Sequence, residues 1–151
     1  MSRRTAPVLA ALLALAATAC GGDGGDGADA PPELSAADAY IPEPPTAELA
    51  GGFLTLRNTG GADDALTGAS SDLAAAVEIH ETVDNAMREA ESLTIPAGGE
   101  LRLGRGGSHL MLIDLSHRPE EGETVTVELR FATSEPITLD VPVASATHTG
   151  E

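Results

Sequence analysis

Short apolar runs, separated at regular intervals by turn signals rich in glycine and proline, fill the chain from about residue 36 onward. Residues 52–57 alternate between apolar and polar, and they end at the strong turn signal Asn58-Thr59-Gly60-Gly61. Many short runs of this kind in series are typical of an immunoglobulin-like β-sandwich or a barrel, so we predict an all-β domain. The candidate strands cover residues 38–41, 52–57, 64–68, 75–83, 92–95, 100–103, 108–115, 123–132 and 137–143.

Only one short stretch of the predicted domain, at about residues 86–92, is compatible with a helix. The chain has no Trp, one Tyr and two Phe, so its core must be built from Leu, Val, Ile and Ala. The aromatic platforms on which proteins stack sugars or single-stranded nucleic acids are therefore missing.

The N-terminal residues 1–19 are predicted to be a signal peptide. Arg3 and Arg4 precede an apolar stretch over residues 7–19, which is too short to span a bilayer as a helix. Cys20 follows at once, and small residues that end at a lone cysteine resemble a bacterial lipoprotein signal. The resemblance implies that Cys20 becomes the lipidated first residue of the mature chain. An ordinary secretory signal is the alternative, and both Sec and twin-arginine export stay open.

The rest of the chain divides by composition. Residues 20–35 consist mainly of Gly, Asp and Pro, which predicts a flexible tether. Residues 36–144 form the predicted β-domain, and residues 145–151 form a tail. Cys20 is the only cysteine, so the domain has no internal disulfide and no thiolate for use as a metal ligand or nucleophile.

The charge balance is strongly acidic. All 24 acidic residues follow Cys20, together with six of the eight basic ones, and the chain has no lysine. Such a polyanion does not bind nucleic acid or an anionic membrane surface through charge.

Two predicted strands carry histidine on the face that does not point to the core. In residues 108–115, Leu110 and Leu112 share one face, while His109 and Met111 share the other. The same alternation over residues 77–83 points Val77 and Ile79 inward and His80 outward. An imidazole and a thioether thus lie side by side on one strand, and a second imidazole faces outward on another.

Met87 lies in the predicted loop after the first of these strands. Both methionines that follow Cys20 and two of the four histidines form the pattern His80-x6-Met87-x21-His109-x-Met111. Two neutral imidazoles and two soft thioethers favour Cu(I). Zinc would require thiolates or carboxylates, and calcium or magnesium would require oxygens. A site without a thiolate suits a carrier that must release its ion.

Three segments resemble the PCuAC-type family of periplasmic copper(I) chaperones, namely residues 77–83, 95–99 and 106–112. The resemblance extends over roughly residues 38–143 and implies a cupredoxin-like β-fold. It also implies delivery of copper to a copper-receiving apo-protein, such as a cytochrome oxidase subunit or its assembly factor. The implied Cu(I) ligands are His80, Met87, His109 and Met111.

One spacing departs from the family pattern. The family has ten residues between the first histidine and its methionine, whereas six separate His80 from Met87. The shortening lies in the loop after Val83. A four-ligand site and a three-coordinate site without Met87 both stay open.

The resulting hypothesis is an extracytoplasmic Cu(I) chaperone, anchored as a lipoprotein to the outer face of the cell membrane. The alternatives are a copper-scavenging or buffering lipoprotein and a metal-free β-sandwich interaction module. No catalytic arrangement stands out in the sequence, so we do not expect an enzyme. His117 lies in a predicted turn and His148 in the tail, and neither is assigned a role.

Overall fold

The computed structural model describes residues 30–150, which form ten β-strands joined by turns. The all-β prediction is confirmed. Within this range there is no helix long and apolar enough to cross a membrane. The predicted signal peptide, Cys20 and most of the predicted tether lie outside the described residues. The strands are β1 (Leu34–Pro42), β2 (Leu49–Asn58), β3 (Asp64–Ser71), β4 (Ala74–Val83), β5 (Ala86–Glu89), β6 (Leu93–Ile95), β7 (Glu100–Leu103), β8 (His109–Leu115), β9 (Thr124–Phe131) and β10 (Ile137–Ala144).

The strands form a closed barrel. Hydrogen-bonded neighbours follow the order β4-β8-β2-β1-β10-β9-β3, and the pairing of Ala69 with Val77 connects β3 back to β4. Strands β5, β6 and β7 add to β4, β3 and β2. Only the β1–β10 pair among these strands is parallel, with Ile41 opposite Val143. Of the two predicted architectures, the structure therefore adopts the barrel.

Aliphatic side chains fill the barrel, as the scarcity of aromatic residues predicts. On β8, Leu110 and Leu112 are buried, and Ile79 of β4 is buried beside them. The predicted alternation of these two strands is thus confirmed for the side chains that face the core. The residues with no exposed surface are Leu56, Leu66, Ile95, Leu112 and Leu129.

A buried asparagine closes one end of the barrel. The Asn58 amide nitrogen donates to the carbonyls of Ala62 and Ile95 at 2.8 and 3.3 Å. Its Oδ1 accepts from the backbone N–H groups of Glu33 and Gly60 at 3.1 and 3.0 Å. All four hydrogen bonds of the side chain are made, so Asn58 ties β6 to the segment that precedes β1.

The stretch that was compatible with a helix is a strand. Residues Ala86–Glu89 form β5, and Val83 pairs with Ala86 across a two-residue connection. Both connecting residues, Asp84 and Asn85, have positive φ angles, of 51° and 62°. This is the requirement of a type I′ hairpin turn, and Asp and Asn tolerate that conformation better than most residues. The tight turn decides the structure here, although Met, Arg and Glu are good helix formers.

The C-terminal residues pack back onto the barrel. The guanidinium of Arg105 donates to the carbonyl of Ala146 at 2.9 Å. The His148 ring meets the Tyr40 ring edge-on, with centroids 4.7 Å apart. At the N-terminal boundary of the domain, β1 begins at Leu34, which is two residues before the start expected from composition.

Candidate metal centre

Strands β4 and β8 bring two histidines face to face. His80 lies directly opposite His109 in the antiparallel register, and Glu78 lies opposite Met111. The two imidazole centroids are 5.4 Å apart, with their planes inclined by 36°. Because residues directly opposite one another in such a pair project to the same side of the sheet, His80, His109 and Met111 share one face.

The β4–β5 hairpin adds Met87 to the same face. Met87 lies opposite Thr82, which is two residues beyond His80 on β4. The Thr82 hydroxyl in turn bonds to the carbonyl of Gly107, just before β8. The structure thus brings all four predicted residues to one face of three adjacent strands. It places Met87 in a strand, whereas the sequence predicted a loop.

We call the four residues His80, Met87, His109 and Met111 the ligand face. Their side chains differ in exposure to solvent. His109 is only 6% exposed, His80 and Met111 are partly buried, and Met87 is 59% exposed. The prediction that His109 points outward is correct in direction. The side chain is nevertheless buried, because residues outside β4 and β8 cover it.

Aromatic packing from β1 and β2 explains the burial of His109. The Phe53 ring lies 6.3 Å from the His109 ring and 5.3 Å from the Tyr40 ring. The Arg105 guanidinium lies 6.0 Å from the centre of the Phe53 ring. A Cβ at Gly51 would come within 3.2 Å of the Phe53 side chain, so the glycine makes room for this ring.

His109 has one ring nitrogen committed and one free. Its Nδ1 lies 3.0 Å from the carbonyl oxygen of Gly107. A carbonyl can only accept a hydrogen bond, so Nδ1 carries the proton of the neutral ring. The lone pair of Nε2 is therefore available to a ligand.

His80 has the opposite arrangement. Its Nε2 lies 2.9 Å from a carboxylate oxygen of Glu78, while its Nδ1 is buried and lacks a hydrogen-bond partner among the described residues. Buried nitrogen atoms without a partner are uncommon in folded proteins. Each ring of the pair thus keeps one nitrogen lone pair uncommitted, which fits a metal that binds imidazole.

Hard metal ligands are not assembled elsewhere in the part of the chain that the structure describes. Between residues 30 and 150, no three His, Cys, Asp or Glu side chains come together in an arrangement that could hold a metal ion. Beside the histidine pair, the soft donors on the ligand face are the thioethers of Met111 and Met87. This donor set matches the preference of Cu(I) for soft, uncharged ligands.

The remaining two histidines contact other residues. His117 is exposed and bonds to Glu123 at 2.9 Å, which lowers the pKa of the Glu123 carboxyl. His148 packs against Tyr40. Sequence reasoning missed Glu78 as a partner of His80, although the alternation of β4 placed both side chains on one face.

Comparison with known proteins defines the family. Residues 34–143 match the family model described as "Putative lipoprotein LpqE-like". This chain belongs to the LpqE-like family. A relative from Leifsonia xyli subsp. xyli (strain CTCB07), "Putative lipoprotein Lxx21020", is 40% identical over 96 residues. That match covers 60% of this chain and 58% of the relative, which is less than two thirds of the relative's length.

Solved structures share the fold of this LpqE-like domain. The solution structure of CuI-DR1885 from Deinococcus radiodurans is 28% identical, with a TM-score of 0.65, and the match covers 83% of this chain and 86% of that one. The apo PmoF2 PCuAC domain has a TM-score of 0.68 at 19% identity and shows the fold alone, over 80% and 97% of the two chains. The resemblance to PCuAC-type domains that the sequence motifs indicate is therefore confirmed.

Proposed function

We propose that this protein is an extracytoplasmic copper(I) chaperone, a binding protein rather than an enzyme. The observation that carries the proposal is the pair of facing histidines, each with one uncommitted ring nitrogen, on the same face as Met87 and Met111. The similarity to CuI-DR1885, whose name records bound Cu(I), supports the choice of metal.

The gradient of exposure across the ligand face suits the transfer of an ion. The buried His109 and the partly buried His80 would form the inner part of the site, where water competes least. Met87, at 59% exposed, would form the outer part, which an incoming ligand of a partner can reach first. Four neutral ligands hold Cu(I) without an anionic thiolate, so this protein's own ligands need not take up protons when they release the ion.

We further propose that Cys20 carries the lipid that anchors the protein to the outer face of the membrane, and that the recipient is a copper site of a respiratory oxidase or its assembly factor. The family description and the name of the Leifsonia relative support the lipid anchor. The acidic charge of the chain supports a recipient with a basic surface.

Competition with a Cu(I)-specific chelator tests metal binding and the ligands. The mature chain carrying Cys20→Ser should bind one Cu(I) per molecule. His109→Ala or Met111→Ala should abolish tight binding, because each removes a buried or partly buried donor of the site. His117→Ala is the control and should bind as the parent protein does. Failure of the parent protein to compete would reject the proposed function, and equal damage from His117→Ala would reject the ligand assignment.

The role of Met87 requires a separate variant. Met87→Leu removes the sulfur and keeps an apolar side chain of similar size. We expect the affinity for Cu(I) to fall about tenfold, equivalent to about 1.4 kcal/mol, because three ligands remain. An unchanged affinity would show that the site is three-coordinate.

Delivery is tested by transfer. The copper-loaded protein is mixed with an apo-domain of an oxidase subunit that contains a CuA site, the two proteins are separated, and the copper bound to each is measured. We expect Cu(I) to leave the chaperone only when the apo-domain is present. Tight binding without transfer would indicate copper buffering instead.

A further inference from the structure

We propose that Glu78 is a positioning residue that fixes the tautomer of His80, so that His80 binds copper through Nδ1 while His109 binds through Nε2. This inference rests on the copper function proposed above. It assigns a role to a carboxylate that is not itself a metal ligand, and it predicts which atom of each ring meets the ion.

The hydrogen bond between the two side chains sets the proton position. Glu78 and His80 are two residues apart on β4 and therefore lie on the same face. The carboxylate oxygen Oε2 is 2.9 Å from Nε2 of the ring. An ionised carboxylate can only accept, so Nε2 of the neutral ring holds the proton and Nδ1 holds the lone pair.

Burial makes this arrangement costly unless Nδ1 receives a ligand. The His80 side chain is 18% exposed, and its Nδ1 is buried without a hydrogen-bond partner among residues 30–150. Leaving a buried acceptor unsatisfied destabilises a fold by about 1–3 kcal/mol. If the ion pair between Glu78 and His80 served stability alone, the buried Nδ1 without a hydrogen-bond partner would be unexplained.

In His109, the hydrogen-bonded ring nitrogen is Nδ1 and not Nε2 as in His80. The carbonyl of Gly107 engages its Nδ1 at 3.0 Å, which leaves Nε2 free. The two rings, with centroids 5.4 Å apart, therefore offer different nitrogens. One ring is fixed by a carboxylate and the other by a backbone carbonyl, which are the two groups that most often orient metal-binding histidines.

The carboxylate also contributes charge. Two imidazoles and two thioethers leave the full positive charge of Cu(I) uncompensated in a partly buried site. Glu78 lies beside one ring and opposite Met111, so its negative charge stabilises the bound cation without coordinating it.

Strand β4 provides a matched control. Glu81 follows His80 directly, so it projects to the other face, where its carboxylate bonds to Arg88 at 2.8 Å. Replacing either glutamate removes one negative charge and one ion pair from the same strand. Only the replacement of Glu78 changes the partner of a histidine ring.

Nitrogen NMR of the ¹⁵N-labelled mature protein (Cys20→Ser), at one slightly alkaline pH, reports on each ring nitrogen. Without copper, His80 should be the Nε2–H tautomer in the parent protein and a mixture of tautomers in Glu78→Ala. On addition of Cu(I), the resonances of His80 Nδ1 and His109 Nε2 should shift most. A dominant shift at His80 Nε2, or an unchanged tautomer in Glu78→Ala, would overturn the proposal.

Affinity measurements complete the test. Glu78→Ala should weaken Cu(I) binding about 10- to 100-fold, the usual cost of losing a group that orients a metal ligand. Glu78→Gln, whose amide oxygen can still accept from Nε2–H, should restore the tautomer and part of the affinity. Glu81→Ala should remain within about twofold of the parent. Equal effects of Glu78→Ala and Glu81→Ala would reject a specific role for Glu78, whereas no binding by the parent protein would reject the copper function itself.

Discussion

The side chain of Asn58 makes hydrogen bonds to backbone groups in a turn and at a strand end. The residue lies in the strongest turn signal of the sequence, and its amide group serves four backbone partners. The turn could be predicted from its glycines. The burial of Asn58 could not, because the partners at Glu33 and Ile95 are distant in sequence.

Replacement of Asn58 should affect stability and leave the metal site intact. We expect Asn58→Ala to lower the free energy of unfolding by about 2 kcal/mol, because it leaves buried backbone groups unsatisfied. Urea denaturation should show a lower midpoint at an unchanged slope. The neighbouring Thr59→Ala, at an exposed position, should change stability by less than about 0.5 kcal/mol. A weakened affinity for Cu(I) in folded Asn58→Ala would contradict this division of roles.

The candidate site shows the same limit of sequence reasoning. Strand alternation correctly pointed His80, His109 and Met111 away from the core, because a period of two needs no knowledge of neighbouring strands. The pairing of β4 with β8, which brings the three residues onto one face, could not be predicted in this way. The burial of His109 depends on Phe53, which lies on a strand more than fifty positions earlier in the chain. Contacts between distant strands decide exposure, so the sequence predicted which way these side chains point and could not rank them by depth.

At the scale of elements, the β4–β5 hairpin explains how Met87 reaches the ligand face although only six residues separate it from His80. A two-residue turn at Asp84 and Asn85 needs fewer residues than a loop, and the paired strands carry Met87 back beside Thr82. The hydrophobic pattern did not reveal this hairpin, because β5 is a short, fully exposed strand of good helix formers.

The turn itself is a target for mutation. Asn85→Val should disfavour the positive φ of 62° by about 1–2 kcal/mol and loosen the hairpin. The affinity for Cu(I) should then fall, at most as far as in Met87→Leu. Asn85→Gly is the matched control, because glycine adopts this conformation freely and should retain the parent affinity. A chelator competition in which the two variants behave alike would show that the turn does not position Met87.

At the scale of the whole molecule, Asp64 holds the end of β9 against the start of β3. Its carboxylate accepts from the backbone N–H groups of Ala65, Thr133 and Ser134 and from the Ser134 hydroxyl. Burial raises the pKa of this carboxyl, and the four hydrogen bonds lower it by more. The pKa of Asp64 in the folded protein is consequently below its ordinary value of 3.8.

This shift gives the barrel a defined response to acid. Because the pKa of Asp64 is lower in the folded state, its contribution to stability is complete above about pH 4 and is lost as the pH falls through the folded value. In urea denaturation from about pH 7 to pH 2, we expect Asp64→Asn to be less stable near neutrality and to lose less stability on acidification. Asp63→Asn, whose parent carboxylate is exposed and accepts one backbone hydrogen bond from Ala97, should follow the parent curve. Parallel curves for Asp64→Asn and the parent would refute this assignment.

Strand β1 connects the point where the chain enters the domain to the edge of the ligand face. The strand starts at Leu34, opposite Asn58, and reaches Tyr40, opposite Phe53 at the edge of the ligand face. Along β2, Phe53 and Asn58 are five residues apart, so these points are separated by about 17 Å. The segment before Leu34 therefore enters the domain beside Asn58, at a distance from the Phe53 ring that packs near His109. A lipid anchor at Cys20 would thus hold the domain at the Asn58 end of β1, and a partner that docks beside the Phe53 end would not compete with the tether for the same surface.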